Sequence, residues 1–494
     1  MKTVHTYIPM LACALVLNAG PAANAQRMTL DEVISAARER SVSALAAKST
    51  FISSYWEYRS YQASRLPSLN LYGNLASFDR SLRQLQNYET GELVYTSNYN
   101  MQNSIGLSIR QNVTFTGGTV SLYSDLSRID EFGGPGRRTW YAQPVSFSYS
   151  QPIFAYNQFK WEKRISPKEY ERAKREYIES MEEITIKAAE QYFSLLLAQR
   201  DHEKAVSNYD DTRMMYSVAA ERLKLGSVTR DECLQLELRM LNDSISINET
   251  SVKVREEQMV LNSLLGYDET YEIIPVLESG LPDIWMDYDM VIGKAMENSS
   301  FMLENEIKTL TAESDIAKAK ADRGAQVSFN ARFGLSNPDS MFRETYRNLL
   351  DQEVFGFTFS IPVFDWGLGE GRVKKAKAKA DAVKAEVEQA ENDYRSNVFT
   401  AVGQFNNQKS QCTVSKRASE IAEERYSLVM DKFRGGNASV MELNTARQEY
   451  DQAMDKYVTD VSDFWSLYYE IRKMTLYDFI RSEDIGVDFN ELLK

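Results

Sequence analysis

The sequence predicts a mixed fold class: a membrane-type β-barrel continued by a long α-helical coiled-coil barrel. Both would be built from a duplicated helix–strand–strand–helix–helix unit and shared between subunits. Three observations predict it. The chain repeats itself in ungapped register, its short apolar segments alternate with period two, and its long polar segments carry apolar stripes at heptad spacing.

The repeat sets the layout. Val145–Tyr156 overlies Phe355–Trp366, so that Phe147 falls on Phe357, Ser150 on Ser360, Pro152 on Pro362 and Phe154 on Phe364. The same offset of 210 carries Gly226 onto Gly436 and Glu232 onto Glu442. A second register, offset by 258, places Val33 on Val291, Ala37 on Ala295 and Arg65 on Arg323. The first half therefore holds 48 more residues than the second between its strand regions. This gives a first repeat over 26–265, a connector at 266–287, a second repeat over 288–475 and a C-terminal tail at 476–494.

The chain opens with Lys2, an apolar run from Tyr7 to Leu17, and Ala23-Asn24-Ala25 before Gln26, the pattern of an export signal over residues 1–25. A competing lipobox, Met10-Leu11-Ala12-Cys13, would instead lipidate Cys13. Thr29-Leu30-Asp31-Glu32 then has the form of a capping box at a helix start.

Strands follow. Leu69, Leu71, Gly73 and Leu75 alternate with polar residues, which places a strand at about 68–78; Val145, Phe147, Tyr149 and Ile153 place another at about 145–154. Their counterparts lie at 327–335, through Val327, Phe329, Phe333 and Leu335, and at 355–363, through Phe355, Phe357, Phe359 and Ile361. Segments of about 9–10 alternating residues match tilted membrane-crossing strands. Trp140, Tyr141, Tyr156, Trp161 and Trp366 flank them as an aromatic girdle would. The extra residues hold another hairpin at about 104–128, with Ile105, Leu107 and Ile109 before Thr116-Gly117-Gly118 and Val120 and Leu122 after. It is either an extracellular extension or two further wall strands. Four strands cannot close a barrel and an open edge cannot face lipid, so subunits would have to share one wall.

The helices are long. From Tyr156 to Lys224 the span is about 68 residues, roughly 100 Å at 1.5 Å per residue. Pro167 lies near its start, as a kink or a first-turn residue. In the second half Val373, Ala376, Ala380, Val383, Val387, Ala390, Tyr394, Val398, Ala401 and Phe405 step by three and four, a coiled-coil seam. Two shorter helices in each half sum to one long helix and could flank it end to end, which would put the connector at mid-height as an equatorial belt.

Composition excludes several classes. Mean hydropathy is −0.43, and no apolar run after residue 25 reaches the length of a spanning helix. The net charge of −13 argues against nucleic acid as a partner. Of two histidines only His202 follows the signal, and Cys233 and Cys412 fall on different predicted helices. No nucleotide loop, zinc-helix motif or catalytic triad stands out, so no enzyme, cofactor or metal site is expected.

The twin strand-to-helix junctions, Ser150-Gln151-Pro152-Ile153-Phe154 and Ser360-Ile361-Pro362-Val363-Phe364, resemble those of the TolC family. So do the twin turns, Arg222–Gly226 and Lys432–Gly436, each followed six residues on by an acid. The resemblance covers nearly all of the mature chain. It implies a homotrimer, a twelve-stranded barrel in outer-membrane lipid and a helical tunnel into the periplasm. It also implies docking by a periplasmic adaptor linked to an inner-membrane pump of the RND or ABC type. The family gates the tunnel tip with acidic rings and a hydrogen-bonded constraint. By that likeness Glu442 is a ring acid and Glu232 a constraint acid. This sequence departs from the pattern at Phe433, Ala438 and Thr445, where the family often has a tyrosine, an arginine and a second acid. Phe433 cannot donate a hydrogen bond, which leaves Arg230 and Arg434 as nearby substitutes. A plainer role for Glu232 and Glu442 is to cap helix N-termini, where the dipole favours an acid. Gly226 and Gly436 would end helices in a left-handed conformation on the turns an adaptor would meet. Three functions follow as expectations: a duct for drug efflux, a duct for type I protein secretion, or, from another class, a soluble periplasmic coiled-coil protein.

Overall fold

The computed structural model describes residues 26–86, 91, 93–133, 135–226, 228–277, 280–435, 437–438 and 440–493. The expected signal, with Cys13, lies outside them. In the first half, strand β1 (Gln26–Met28) leads to helices α1 (Leu30–Arg40) and α2 (Val42–Ser64). Strands β2 (Ser68–Gln86), β3 (Leu93–Val113), β4 (Gly118–Glu131) and β5 (Arg137–Ile153) follow, then helices α3 (Gln158–Lys224) and α4 (Arg230–Leu265). The second half runs β6 (Ile273–Pro275), α5 (Tyr288–Asn298), α6 (Ser300–Arg323), β7 (Gln326–Asp339), a single 3-10 turn, β8 (Leu350–Ser360), α7 (Leu368–Arg434) and α8 (Val440–Thr475). Two short strands, β9 (Tyr477–Asp478) and β10 (Glu483–Asp484), and a one-turn helix α9 (Phe489–Leu492) end it.

The duplication holds at the level of lengths. Helices α3 and α7 each have 67 residues, α4 and α8 each 36, and α1 and α5 each 11. At 1.5 Å per residue the long pair spans roughly 100 Å. Thr29 and Glu32 form the expected capping box, each side chain bonded to the other's backbone N–H. Pro167 lies inside α3. The heptad stripe of α7 turns inward, with Val373, Val398, Ala401 and Phe405 buried.

Strands β2, β3, β4, β5, β7 and β8 form one antiparallel sheet in that order. The sheet of one protomer therefore has six strands rather than four. The strands also outrun the sequence expectation: β2 continues to Gln86 and β5 begins at Arg137. Beyond the apolar band the side chains become polar, so alternation in hydropathy fades while the backbone ladder continues.

The helices interlock along their length. Arg447, Asp455, Arg472 and Lys473 of α8 meet Asp211, Lys204, Glu182 and Glu183 of α3. Between the well-separated pairs, 447–211, 455–204 and 472–182, the numbers climb on one helix as they fall on the other, which is the register of two antiparallel helices. Glu182 is fully buried and receives both Arg38, at 3.2 Å, and Arg472, at 3.1 Å.

Residues 266–277 and 280–287 and the C-terminal tail pack near the middle of the long helices. β1 pairs in parallel with β6, and Tyr192 of α3 donates to the Met28 and Val276 carbonyls at 3.2 and 2.6 Å. Asn406 of α7 exchanges two hydrogen bonds with the Met286 backbone, at 3.1 and 2.9 Å. In the tail, Phe489 packs on Phe51 with ring centroids 4.9 Å apart. The main core forms here, centred on Phe405, Phe464 and Tyr468.

Candidate functional site

The two helical turns farthest from the sheet lie side by side. Phe433, near the end of α7, packs with Met215 of α3, Leu236 of α4 and Leu443 of α8 in a small apolar cluster separate from the main core. The phenylalanine that cannot donate a hydrogen bond is thus a packing residue that joins the two hairpins. A groove beside it is lined by Arg222, Glu232, Arg239, Phe433 and Thr445.

Gly226 closes α3 with φ +73, and its N–H donates to the Leu223 carbonyl at 3.0 Å. Any side chain there would meet strain from the backbone rather than from neighbours, since nothing lies within 4 Å of its Cβ position. Arg230 is the exposed first residue of α4. Glu232 completes a capping box with Thr229: the Thr229 N–H donates to its carboxylate at 2.8 Å and the Thr229 hydroxyl at 3.0 Å. These bonds, the backbone one foremost, hold the Glu232 carboxyl below its ordinary range. The structure thus gives Glu232 the capping geometry. Glu442 stands exposed in the first turn of α8, at the repeat position of Glu232. Arg434 is the last residue of α7; its side chain, and Gly436, lie outside the described residues.

About two to four helical turns from the tip is a polar cluster that the sequence reading missed. Arg447 of α8 pairs with Asp211 of α3, donates to the Tyr426 hydroxyl of α7 at 3.2 Å, and lies over the Tyr426 ring at 5.5 Å. The Tyr426 hydroxyl donates to Asp211 at 3.4 Å and its ring stacks on Tyr450 at 5.7 Å. Burial raises the pKa of Tyr426 and that of nearby Asp451. Three groups from three helices close one network, with no local motif to announce it. It supplies the inter-hairpin hydrogen bonds that Phe433 cannot.

At the other end of the molecule the sheet has two unlike faces. Leu69, Ile109, Leu122, Phe147 and Phe333 stand in one row across β2, β3, β4, β5 and β7, with Phe355, Phe357 and Phe359 along β8 on the same face. All eight are exposed in the protomer. The adjacent row on the opposite face reads Asn70, Ser108, Tyr123, Ser146, Gly334 and Gln352. At the rim toward the helices Phe364 and Trp366 stack edge-on at 4.5 Å and are exposed. Among the described residues no helix is long and apolar enough to cross a membrane, and no cluster of ligating side chains could hold a metal ion.

Residues 291–463 match the family model described as outer membrane efflux protein. Over that span the chain is similar to that family. The matched span runs from α5 into α8, most of the second repeat. The whole chain shares its fold with solved structures at low identity. Against the CmeC outer membrane channel of Campylobacter jejuni the TM-score is 0.65 at 13% identity, covering 94% of this chain and 89% of that one. Against the outer membrane protein VceC of Vibrio cholerae it is 0.62 at 14% identity, covering 90% and 95%. Against the outer-membrane channel OprN it is 0.62 at 15% identity, covering 91% and 90%. A comparison with curated protein sequences gives no match. The matched span has its structural counterpart in the first repeat, and the two halves together make the TolC-like fold that the resemblance of the twin junctions and turns implies.

Proposed function

We propose that this chain is one subunit of a trimeric outer-membrane channel, the exit duct of a tripartite efflux pump for small molecules. The observation that carries the proposal is the sheet, apolar on one exposed face and polar on the other, set on helices roughly 100 Å long. An exposed apolar band of this extent is stable only against lipid or another protein. β2 and β8 present open edges, which hydrocarbon does not tolerate, so neighbouring copies close the wall. The chain has no chemistry of its own to perform; its work is to conduct. The helices reach through the periplasm, and the turns around Gly226 and Gly436 meet a periplasmic adaptor that couples them to an inner-membrane pump of the RND or ABC type. Glu442, Glu232, Phe433, Arg434 and Arg230 form the tip that opens on docking.

A host lacking the chain tests the efflux reading. The expected result is raised sensitivity to dyes and antibiotics, with intracellular dye retention and an unchanged set of secreted proteins. Loss of a secreted protein with unchanged dye retention would instead make it a secretion duct.

A further inference from the structure

We infer that the membrane wall of the assembled channel has eighteen strands, because the inserted hairpin β3–β4 of each protomer is part of the wall and not an extracellular ornament. The inference rests on the trimeric channel reading above.

Four observations on the hairpin carry it. First, both its strands are paired on both sides: β3 with β2 over Leu93–Arg110 and with β4 over Asn100–Val113, and β4 with β3 and with β5. Second, it continues both faces of the sheet. Leu107 and Ile109 lie outward with Leu69 and Leu71, while Ser108 and Tyr123 lie inward with Asn70 and Ser146. A loop standing in water has no reason to keep that division. Third, its near turn reaches the periplasmic rim. The Gly117 N–H donates to the Val113 carbonyl at 2.8 Å with φ +78, and Asn157, the N-cap of α3, donates to the Thr114 and Phe115 carbonyls at 3.1 and 3.2 Å.

Fourth, the strand β3 repeats β5. Ile105-Gly-Leu-Ser-Ile-Arg-Gln111 overlies Val145-Ser-Phe-Ser-Tyr-Ser-Gln151, with Ser108 on Ser148 and Gln111 on Gln151. The two glutamines do the same work. Gln111 donates to the Arg65 carbonyl at 2.8 Å and to that of its own neighbour Asn112 at 2.9 Å. Gln151 donates to the Thr116 carbonyl at 2.8 Å and to that of Pro152 at 2.8 Å. Each fastens the periplasmic end of its strand to the segment that leads into the neighbouring strand. Residues 104–131 thus look like an extra copy of a wall hairpin, complete with its rim fastening.

Barrel width grows nearly in proportion to strand number. With strands ~4.8 Å apart and tilted ~40°, eighteen strands give a backbone diameter of about 36 Å, against about 24 Å for twelve. A bore about 1.5 times wider leaves cargo selection to the helical tip and admits bulkier solutes through the membrane section than a twelve-stranded wall would.

Cysteine labelling of the full chain in phosphatidylcholine vesicles tests this, with bimane as the probe and an acyl-chain nitroxide lipid as the quencher. Phe147→Cys and Ser148→Cys on β5 are the reference pair, and Leu107→Cys and Ser108→Cys on β3 the test pair. Ile109→Cys replaces Leu107→Cys if the latter does not insert. The expected result is severalfold quenching at 147 and 107, with little at 148 and 108. If the reference pair alternates and both hairpin positions stay unquenched, the hairpin is outside the wall and the inference fails alone. If the reference pair does not alternate either, the shared-barrel reading beneath it fails too.

Discussion

Arg447 ties three helices together near the tip. It is mostly buried and holds Asp211 and Tyr426 from two other helices. Removing one partner of such a pair leaves a partly buried charge, at a cost of about 1–3 kcal/mol. Arg447→Ala should therefore loosen the tip and raise the basal conductance of the channel in planar bilayers severalfold, while Arg447→Lys should restore it only in part because the planar fork is lost. Glu442→Ala should also raise basal conductance and weaken cation preference; unchanged values would remove Glu442 from any ring. Glu182 tests the same physics at mid-height. Its replacement by Ala leaves the half-buried Arg38 without this acid and Arg472 with Asp478 as its remaining carboxylate, and thermal denaturation in detergent should show a loss of about 1–3 kcal/mol. The residue roles were only half legible beforehand. Glu232 and Gly226 sit in local patterns, a capping box and a helix end, that four or five letters encode. The Asp211–Tyr426–Arg447 cluster joins three distant segments, and no spacing along the chain records it.

Among the elements, the helix ends at the tip hold through short-range bonds. Thr229→Ala removes the cap of α4 at a cost of about 1 kcal/mol. Hydrogen exchange at residues 230–233 should quicken accordingly while that of the α4 interior is unchanged. Acid should do the same. The Glu232 carboxyl is held low in the folded state, so its contribution is present at neutral pH and is lost as pH falls through its folded pKa. The helices were the most legible elements, since the seam from Val373 to Phe405 fixes both the helical period and the buried face. The strands were less so. Alternation marks only the lipid-facing part of each, and β2 from Asp79 to Gln86 is paired to β3 without any apolar rhythm.

The whole molecule is legible through its duplication. Equal helix lengths in the two halves follow from one ungapped offset, and that offset alone placed both tip turns. What it could not place was the inserted hairpin, because the second half has no counterpart to compare. The open edges at β2 and β8 are the feature that makes a lone protomer incomplete. The most direct measurement is the native mass and detergent dependence of the protein extracted from isolated outer membranes. A shared barrel predicts a trimer that stays in solution only with detergent. A monomer or dimer released without detergent would contradict it and leave a soluble coiled-coil protein in its place.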